Sequence, residues 1–361
     1  PLPLHLSLFY LHPTGKFYQL SSTELYSNTP ADFDFKLAGQ RQGLTEEELG
    51  EKLKCVDLVF PLIHGPYGED GTLQALLEAR KIAFVGSPSA VCKRMFNKYE
   101  ARKWLECHDF PLLPALRIER RDTPIDNFWD KEISQKAVIK PTMSGSSIGI
   151  KVASSLEEAK KAIEELWKEG FHELLIEPYS KDIEFTVCVL EHKEKGVALI
   201  PLEIDIQKQG IFDYRKKYLP SPQTRYYCPP RFPQGVIDRI QIEAERLFQA
   251  FGVRGFTRVD GWLSQDGSIR FSDLNPISGM EQNSFLFQQA ARIGLSHTDL
   301  LEYIINQTLL RYGKPSLDRR AQSKHMKKPI YVLMGGDTSE RQVSLLSGTN
   351  VWLKLLQTSQ Y

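Results

Sequence analysis

The chain has 361 residues, more than one domain of common size, so two or three domains with buried cores are expected. Apolar residues make up 41% and charged residues 25%, the composition of a folded globular chain, which excludes a disordered tail or a fibre. With 46 basic against 45 acidic residues there is no broad attraction to phosphate backbones or anionic membranes, so neither nucleic acid nor a membrane is expected as a partner.

Residues 1–11 are apolar but lack a basic leader and a small-residue cleavage site, so they are not read as a signal peptide. No run approaches the ~20 apolar residues needed to span a bilayer. Residues 4–11 read as a strand that leads through His12-Pro13-Thr14-Gly15 into Lys16-Phe17-Tyr18. Residues 56–63 form an apolar run bounded by the loop His64-Gly65-Pro66-Tyr67-Gly68-Glu69-Asp70-Gly71 and by a helix through Leu73, Leu76 and Leu77. Further on, Ala137-Val138-Ile139-Lys140 is a short strand before a glycine and serine loop. Ser155 with Glu158 then predicts a capping box for a helix that ends near Gly170, with Leu156, Ala159, Ile163, Leu166 and Trp167 on its apolar stripe.

Residues 173–179, 184–190 and 197–204 are β-like. A helix over 236–251 buries Ile237, Ile240, Ala244, Leu247 and Phe248, and Gly252 ends it. Residues 256–263 and 269–274 form a hairpin across Gln265-Asp266-Gly267, so this region is a mainly antiparallel sheet with helices. The last elements are a strand over 330–334, the turn Gly335-Gly336 and a helix with Val343, Leu346, Val351 and Leu355 on its apolar side. Strand, turn and helix are half of a parallel unit, whose second strand must come from elsewhere. The strand over 4–11 has no helix before it, and joining the two ends makes one β-α-β unit. This predicts a permuted order, with the polar residues 313–328 as connector and Met326, before Lys327-Lys328-Pro329, as an original start.

Four constellations carry chemistry. The first is Thr142-Met143-Ser144-Gly145-Ser146-Ser147-Ile148-Gly149, entered from Lys140. Glycines let backbone N–H groups turn toward an anion, serines add donors and the lysine adds charge, which suits a triphosphate; the order is not that of a P-loop. The second is Arg258-Val259-Asp260 opposite Asp273-Leu274-Asn275, where strand alternation sends Arg258 and Asp260 to one face and Asp273 and Asn275 likewise. Carboxylate and amide oxygens of that kind are what Mg²⁺ takes. The third is Ser339-Glu340-Arg341-Gln342-Val343-Ser344, and the fourth is His64-Gly65 with Glu69-Asp70-Gly71. Both stand at strand-to-helix turns, where α/β sheets bind ligands, although helix capping by Ser339 and a tight turn with a satisfied histidine explain them equally well. The five cysteines, Cys55, Cys92, Cys107, Cys188 and Cys228, are widely spaced without a C-x-x-C pair, which fits a reducing, cytoplasmic setting.

Together, Gly335-Gly336 with Ser339-Glu340-Arg341, His64-Gly65 with Gly68-Glu69-Asp70-Gly71-Thr72-Leu73-Gln74, Lys140-Pro141 with Gly145-Ser146-Ser147-Ile148-Gly149, Glu184-Phe185-Thr186-Val187, Lys217-Tyr218, Arg258-Val259-Asp260 and Asn275 with Gly279-Met280 resemble the D-alanine:D-alanine ligases in circular order. The resemblance implies an ATP-grasp fold, of α/β and α+β class: a Rossmann-like parallel-sheet substrate domain (329–361 plus 1–97), a central subdomain (98–178), a C-terminal catalytic domain (179–312) and the connector 313–328. It implies that Lys98, Lys140 and Lys217 hold ATP phosphates, that Ser147 also binds ATP, that Glu177, Ser180 and Glu184 surround adenine and ribose, and that Asp260, Asp273 and Asn275 bind Mg²⁺, with Mn²⁺ as a substitute. Glu340 then holds the ammonium of the first D-alanine, with His64 nearby and Ser146 and Tyr218 as hydrogen-bonding partners. Arg258, the Gly279 N–H and Ser284 surround the acyl carbon and the second D-alanine.

The implied reaction is ATP-dependent ligation of two D-alanines through an acyl phosphate, for peptidoglycan precursor synthesis and cell shape, in an assembly compatible with a homodimer. Three departures stand out: Asp273 where the family has Glu, Pro276-Ile277-Ser278-Gly279 where it has Thr-x-Pro-Gly, and Ser144 where relatives often carry charge. A D-Ala-D-lactate or D-Ala-D-serine ligase is a neighbouring reading, against which Tyr218 speaks. A nucleotide-binding module without catalysis is another, motivated by Asp273 and the altered turn. A nicotinamide enzyme is disfavoured because no G-x-G-x-x-G follows the strand before Gly335.

Overall fold

Strands from opposite ends of the chain build the first sheet. In the computed structural model, which describes residues 4–21, 24, 29–37, 42–145, 148–206, 224–317 and 328–359, strands β1 (Leu4–Leu11), β2 (Phe17–Leu20) and β3 (Leu58–Pro61) join β14 (Lys328–Gly335) in the order β2-β1-β14-β3. β14 runs parallel to both neighbours, pairing Leu4 with Lys328 through Leu11 with Gly335 on one side and Ile330 with Leu58 through Leu333 with Pro61 on the other. Helices α1 (Pro30–Leu37), α2 (Glu46–Leu53), α3 (Thr72–Ala79), α4 (Ser89–Phe96) and α5 (Lys98–Glu106) follow in this part of the chain, and the last helix, α11 (Arg341–Ser359), contacts both β14 and β1. The predicted joining of the two orphan halves is what the sheet contains, because an interior strand of a parallel sheet must be paired on both edges.

The predicted apolar side of the last helix holds at Val343, Val351 and Leu355 but not at Leu346. Leu346 is 46% exposed, while Leu345 is buried with Val343, Val351, Trp352 and Leu355. Contacts of α11 with both the first sheet and a helix of the third layer set which side is buried, and the helical period alone does not.

The second sheet is antiparallel, in the order β4-β7-β5-β6, from β4 (Leu116–Ile118), β5 (Ala137–Pro141), β6 (Lys151–Ala153) and β7 (Leu174–Pro178), with α6 (Asp126–Glu132) and α7 (Leu156–Lys168). The apolar stripe of α7 covers it through Ala159, Ile163 and Leu166. Its cap differs from the predicted box: Ser155 Oγ accepts the Glu158 N–H at 3.2 Å, but the Glu158 carboxylate accepts from Ser154 N at 2.7 Å, one residue further back.

The third sheet runs β11-β10-β8-β12-β13, with β9 also on β8. It comprises β8 (Ile183–His192), β9 (Lys195–Ala198), β10 (Leu202–Ile206), β11 (Thr224–Tyr227), β12 (Phe256–Leu263) and β13 (Ile269–Asn275), with α8 (Gln234–Phe251), α9 (Phe285–Arg292) and α10 (His297–Arg311). The strand predicted over 197–204 is two strands: Ala198 pairs with Val189 but Leu202 with Thr186, so one extra residue bulges out. Pro201, which has no N–H for the ladder, stands at that interruption. Gly252 caps α8 in the left-handed region as predicted. One apolar cluster spans β1, β14, α11, α9 and α10, so the first and third layers share a core. No described helix is long and apolar enough to cross a membrane.

Candidate active site

The site starts at the turn after β14. Gly335 and Gly336 have φ of 102° and 116°, and a Cβ on Gly335 would lie 2.8 Å from the Leu11 nitrogen. Only glycine lets the two backbones approach so that Gly336 N donates to Leu11 O at 2.8 Å. Ser344 Oγ accepts from Gly335 N at 2.9 Å and donates to Leu62 O, fastening the turn to the end of β3. Glu340, 5% exposed, is thereby held against the backbones of Gly65 and Gly145, and a Cβ on either glycine would overlap its carboxylate. Three segments far apart in the chain thus form one seat for one carboxylate.

His64 stands beside it. Its Nδ1 is 3.4 Å from Glu69 Oε1, and Glu69 Oε2 accepts the Gly65 N–H at 2.9 Å. Burial alone would lower the His64 pKa, but the hydrogen bond to Glu69 and the charges of Glu69, Glu340 and Glu281 outweigh it and hold the pKa above its ordinary value. This end of the cleft attracts cations.

Two lysines line the same cleft, each beside a carboxylate. Lys140 on β5 lies 2.6 Å from Glu177 on β7; burial opposes its charge, but Glu177 and Asp273 keep its pKa raised. Lys98, at the start of α5, donates to the Ser144 carbonyl and has Asp273 Oδ1 at 3.8 Å. Arg258, also on the cleft, forks onto Asp260 with Nε–Oδ1 and Nη2–Oδ2 distances of 3.0 Å. Thr186 donates to Asp260 Oδ1 at 2.7 Å, and Asn275 Nδ2 lies 3.3 Å from Oδ2.

The hairpin register sets Arg258 opposite Asn275 and Asp260 opposite Asp273. These three oxygen-bearing groups fit a hard divalent cation: both carboxylates are at one cross-strand pair, and Asn275 donates through its nitrogen, leaving its amide oxygen as an acceptor.

A cleft of about 770 Å³ collects these groups, lined by His64, Lys98, Lys140 and Arg258 and by Asp273, Asn275, Gly279 and Glu340. A second cavity of about 520 Å³ shares Lys98, Lys140 and Leu274 with it and is walled by Leu112, Leu175, Glu177, Trp262 and Phe271. Asp260 is buried next to the cleft behind Arg258. Ser180, Glu184 and Ser284 line neither cavity: Ser180 Oγ accepts from Asp182 N, Glu184 pairs across the sheet with Trp262, and Ser284 is at the N-cap of α9. Ser146, Ser147, Lys217 and Tyr218 lie outside the described residues.

Sequence reasoning missed the Thr338 hydroxyl, which links Glu340 N to the His64 carbonyl, and the contribution of Trp262. It also missed Ser347 and Asn350, which bond Met280 N and O at 2.9 and 2.8 Å and so tie α11 to the segment carrying Gly279. Polar residues on an otherwise apolar face of the last helix were the available signal.

Comparison with known proteins gives a consistent result. A family profile described as D-ala D-ala ligase N-terminus matches residues 4–87, and one described as D-ala D-ala ligase C-terminus matches residues 108–306. A D-alanine–D-alanine ligase of Pseudarthrobacter chlorophenolicus is 31% identical over 278 residues, covering 73% of this chain and 71% of that protein. Among solved structures, the VanG D-Ala:D-Ser ligase from Enterococcus faecalis superposes with a TM-score of 0.68 at 27% identity, covering 82% of this chain and 87% of that one. The Bacillus anthracis D-alanine–D-alanine ligase complexed with ATP superposes with a TM-score of 0.64 at 26% identity, covering 75% and 86%.

Proposed function

The chain belongs to the D-alanine:D-alanine ligase family, with its ATP-grasp fold, and on that premise we propose that it joins two D-alanines with the hydrolysis of ATP to ADP and phosphate, in the cytoplasm, for peptidoglycan precursor synthesis. The observation that carries the reading is the meeting of Glu340 and His64 with Lys98 and Lys140 in one cleft. A zwitterionic amino acid fits between them, ammonium toward Glu340 and carboxylate toward the lysines.

In this reading Lys98, Lys140 and Lys217 hold phosphates, Ser147 also binds ATP, and the apolar second cavity, with Glu177 at its edge, takes the adenine, with Ser180 and Glu184 toward the nucleoside. Ser146 and Tyr218 assist Glu340 and His64 with the first D-alanine, and Ser284 meets the second. The first carboxylate attacks the γ-phosphate, giving an acyl phosphate, and the second amine displaces phosphate. Arg258 and the Gly279 N–H stabilise the oxyanion of that displacement. Asp260, Asp273 and Asn275 would hold Mg²⁺ or Mn²⁺, which supplies charge neutralisation during phosphoryl transfer.

We assign the domains to 329–361 plus 1–97, 98–178 and 179–312, with 313–328 as connector, although Ala101, Leu105 and Phe110 pack with the third sheet. The segment 328–359 takes the place of the family's first strand and helix, a permuted order supported by the interior position of β14. A homodimer is the assembly we propose.

Incubation with ATP, Mg²⁺ and D-alanine is expected to yield D-alanyl-D-alanine and ADP in equal amounts, and absence of D-alanine-dependent ADP release would sink the proposal. The superposition with a D-Ala:D-Ser ligase motivates adding D-serine and D-lactate as competing acceptors, with D-alanine expected to win.

Two substitutions probe the cleft. Glu340→Gln keeps shape but removes charge, so the KM for the first D-alanine should rise by about tenfold or more, as for loss of a charge-assisted hydrogen bond of ~1.5–3 kcal/mol, with ATP binding retained. An unchanged KM would exclude Glu340 from ammonium binding. Asp273→Asn should raise the Mg²⁺ concentration needed for half-maximal rate; superimposable titrations of variant and parent would remove Asp273 from the ligand set.

A further inference from the structure

One carboxylate beside the cleft takes no part in the steps above. Glu281 follows the turn that carries Gly279, and its side chain folds back over that glycine: a Cβ built on Gly279 would lie 2.6 Å from Oε2 and 3.2 Å from both Cδ and Oε1. Gly279 itself lines the cleft. The Oε2 atom is withdrawn from solvent yet has no hydrogen-bond partner among the described residues. A carboxylate oxygen in that condition is costly unless something brings it a donor.

Two neighbouring groups share the condition. Nε2 of His64, a cleft-lining residue 5% exposed, has no partner among the described residues, and neither has Oγ of Ser284, 2% exposed. Ser284 is on the same turn, its N–H bonding back to the Glu281 carbonyl at 2.9 Å, and the charge of Glu281 reaches His64. The other charged groups here are engaged: Glu69 with His64 and the Gly65 N–H, Glu340 in its seat between two glycines, and Arg258 on Asp260. A polar ligand beside Gly279 would satisfy what the protein leaves unsatisfied.

We propose that Glu281 docks the ammonium of the acceptor amino acid and takes its proton as the amide forms. This rests on the ligase reading and extends it to acceptor activation. The ammonium carries three protons and the amide keeps one. Glu281 takes the first, freeing the lone pair that attacks the acyl carbon; the C–O bond to phosphate breaks, and the second proton leaves with that phosphate. An acceptor hydroxyl brings no ammonium to dock, so the same residue selects amino acids over hydroxy acids.

Hydroxylamine, unprotonated at neutral pH, separates this role from a structural one, because it captures the acyl phosphate as a hydroxamate without needing a base. With Glu281→Gln, dipeptide formation at neutral pH should fall by roughly 10²-fold, the low end for general base catalysis, while D-alanyl hydroxamate forms at the parent rate. Dipeptide formation should recover as the pH rises and free amine becomes available. Glu281→Asp, which keeps the charge, should retain more dipeptide activity than Glu281→Gln. Dipeptide formation at the parent rate in Glu281→Gln, equal loss of both products, or equal losses of dipeptide in the two variants would each overturn the proposal. A parent protein that makes neither product would instead show that the ligase reading had failed, and this proposal with it.

Discussion

Ending the chain after Lys324 is expected to unfold the first sheet. The truncation removes β14, the interior strand paired with both β1 and β3, and α11, which covers it. Ile330, Val332, Leu333, Met334, Val343, Leu345, Val351, Trp352 and Leu355 are all buried in the intact chain. At ~1.5–3 kcal/mol for each large apolar side chain withdrawn from water, their loss matches or exceeds the ~5–15 kcal/mol that holds a typical domain folded. Because the first and third layers share a core through Ile304, Leu300 and Met280, the damage should spread beyond the sheet. The strands β1 and β3 would also expose long unpaired edges, so aggregation is expected. A thermal melt followed by circular dichroism, with limited proteolysis, reads the result. A truncated protein that melts like the parent and still makes D-alanyl-D-alanine would refute the role given to β14.

Arg258→Ala should reduce turnover by roughly 10²–10³-fold, equivalent to ~3–4 kcal/mol, while leaving ATP affinity close to the parent value. The guanidinium in this reading acts mainly on charge that develops as phosphate is displaced, so its loss should appear in kcat. The geometry adds a second consequence. Arg258 is forked onto Asp260 with both side chains largely buried, at 11% and 9% exposure, so alanine also leaves that carboxylate without its cation. A lower melting temperature should accompany the kinetic defect, since breaking a buried pair by removing one partner is destabilising. Arg258→Lys restores the charge without the planar fork and should recover stability more than turnover. Near-parent turnover in Arg258→Ala would exclude the oxyanion role, and an unchanged melting temperature would show that Asp260 finds another partner.

Sequence by itself determined the elements whose signals are local. The strands over 4–11 and 256–263, the hairpin across Asp266-Gly267 and the Gly252 cap of α8 follow from alternation and from residues that tolerate left-handed backbone, both readable from a few neighbours. It also determined that the two ends of the chain belong together, because half of a parallel unit cannot pair with itself. Tertiary structure alone decided what depends on segments meeting. Which leucine of α11 turns inward was set by the layers on either side of that helix, and a bulge in the segment opposite β8 divided one predicted strand into two. The carboxylate of Glu340 acquired its seat only when Gly65 and Gly145 arrived from two other turns, and Glu281 came beside a cleft-lining residue only because its side chain folds back over Gly279. Periodicity reports which face of an element is buried, whereas a site is an arrangement of individual atoms from distant segments, whose distances no spacing along one chain encodes.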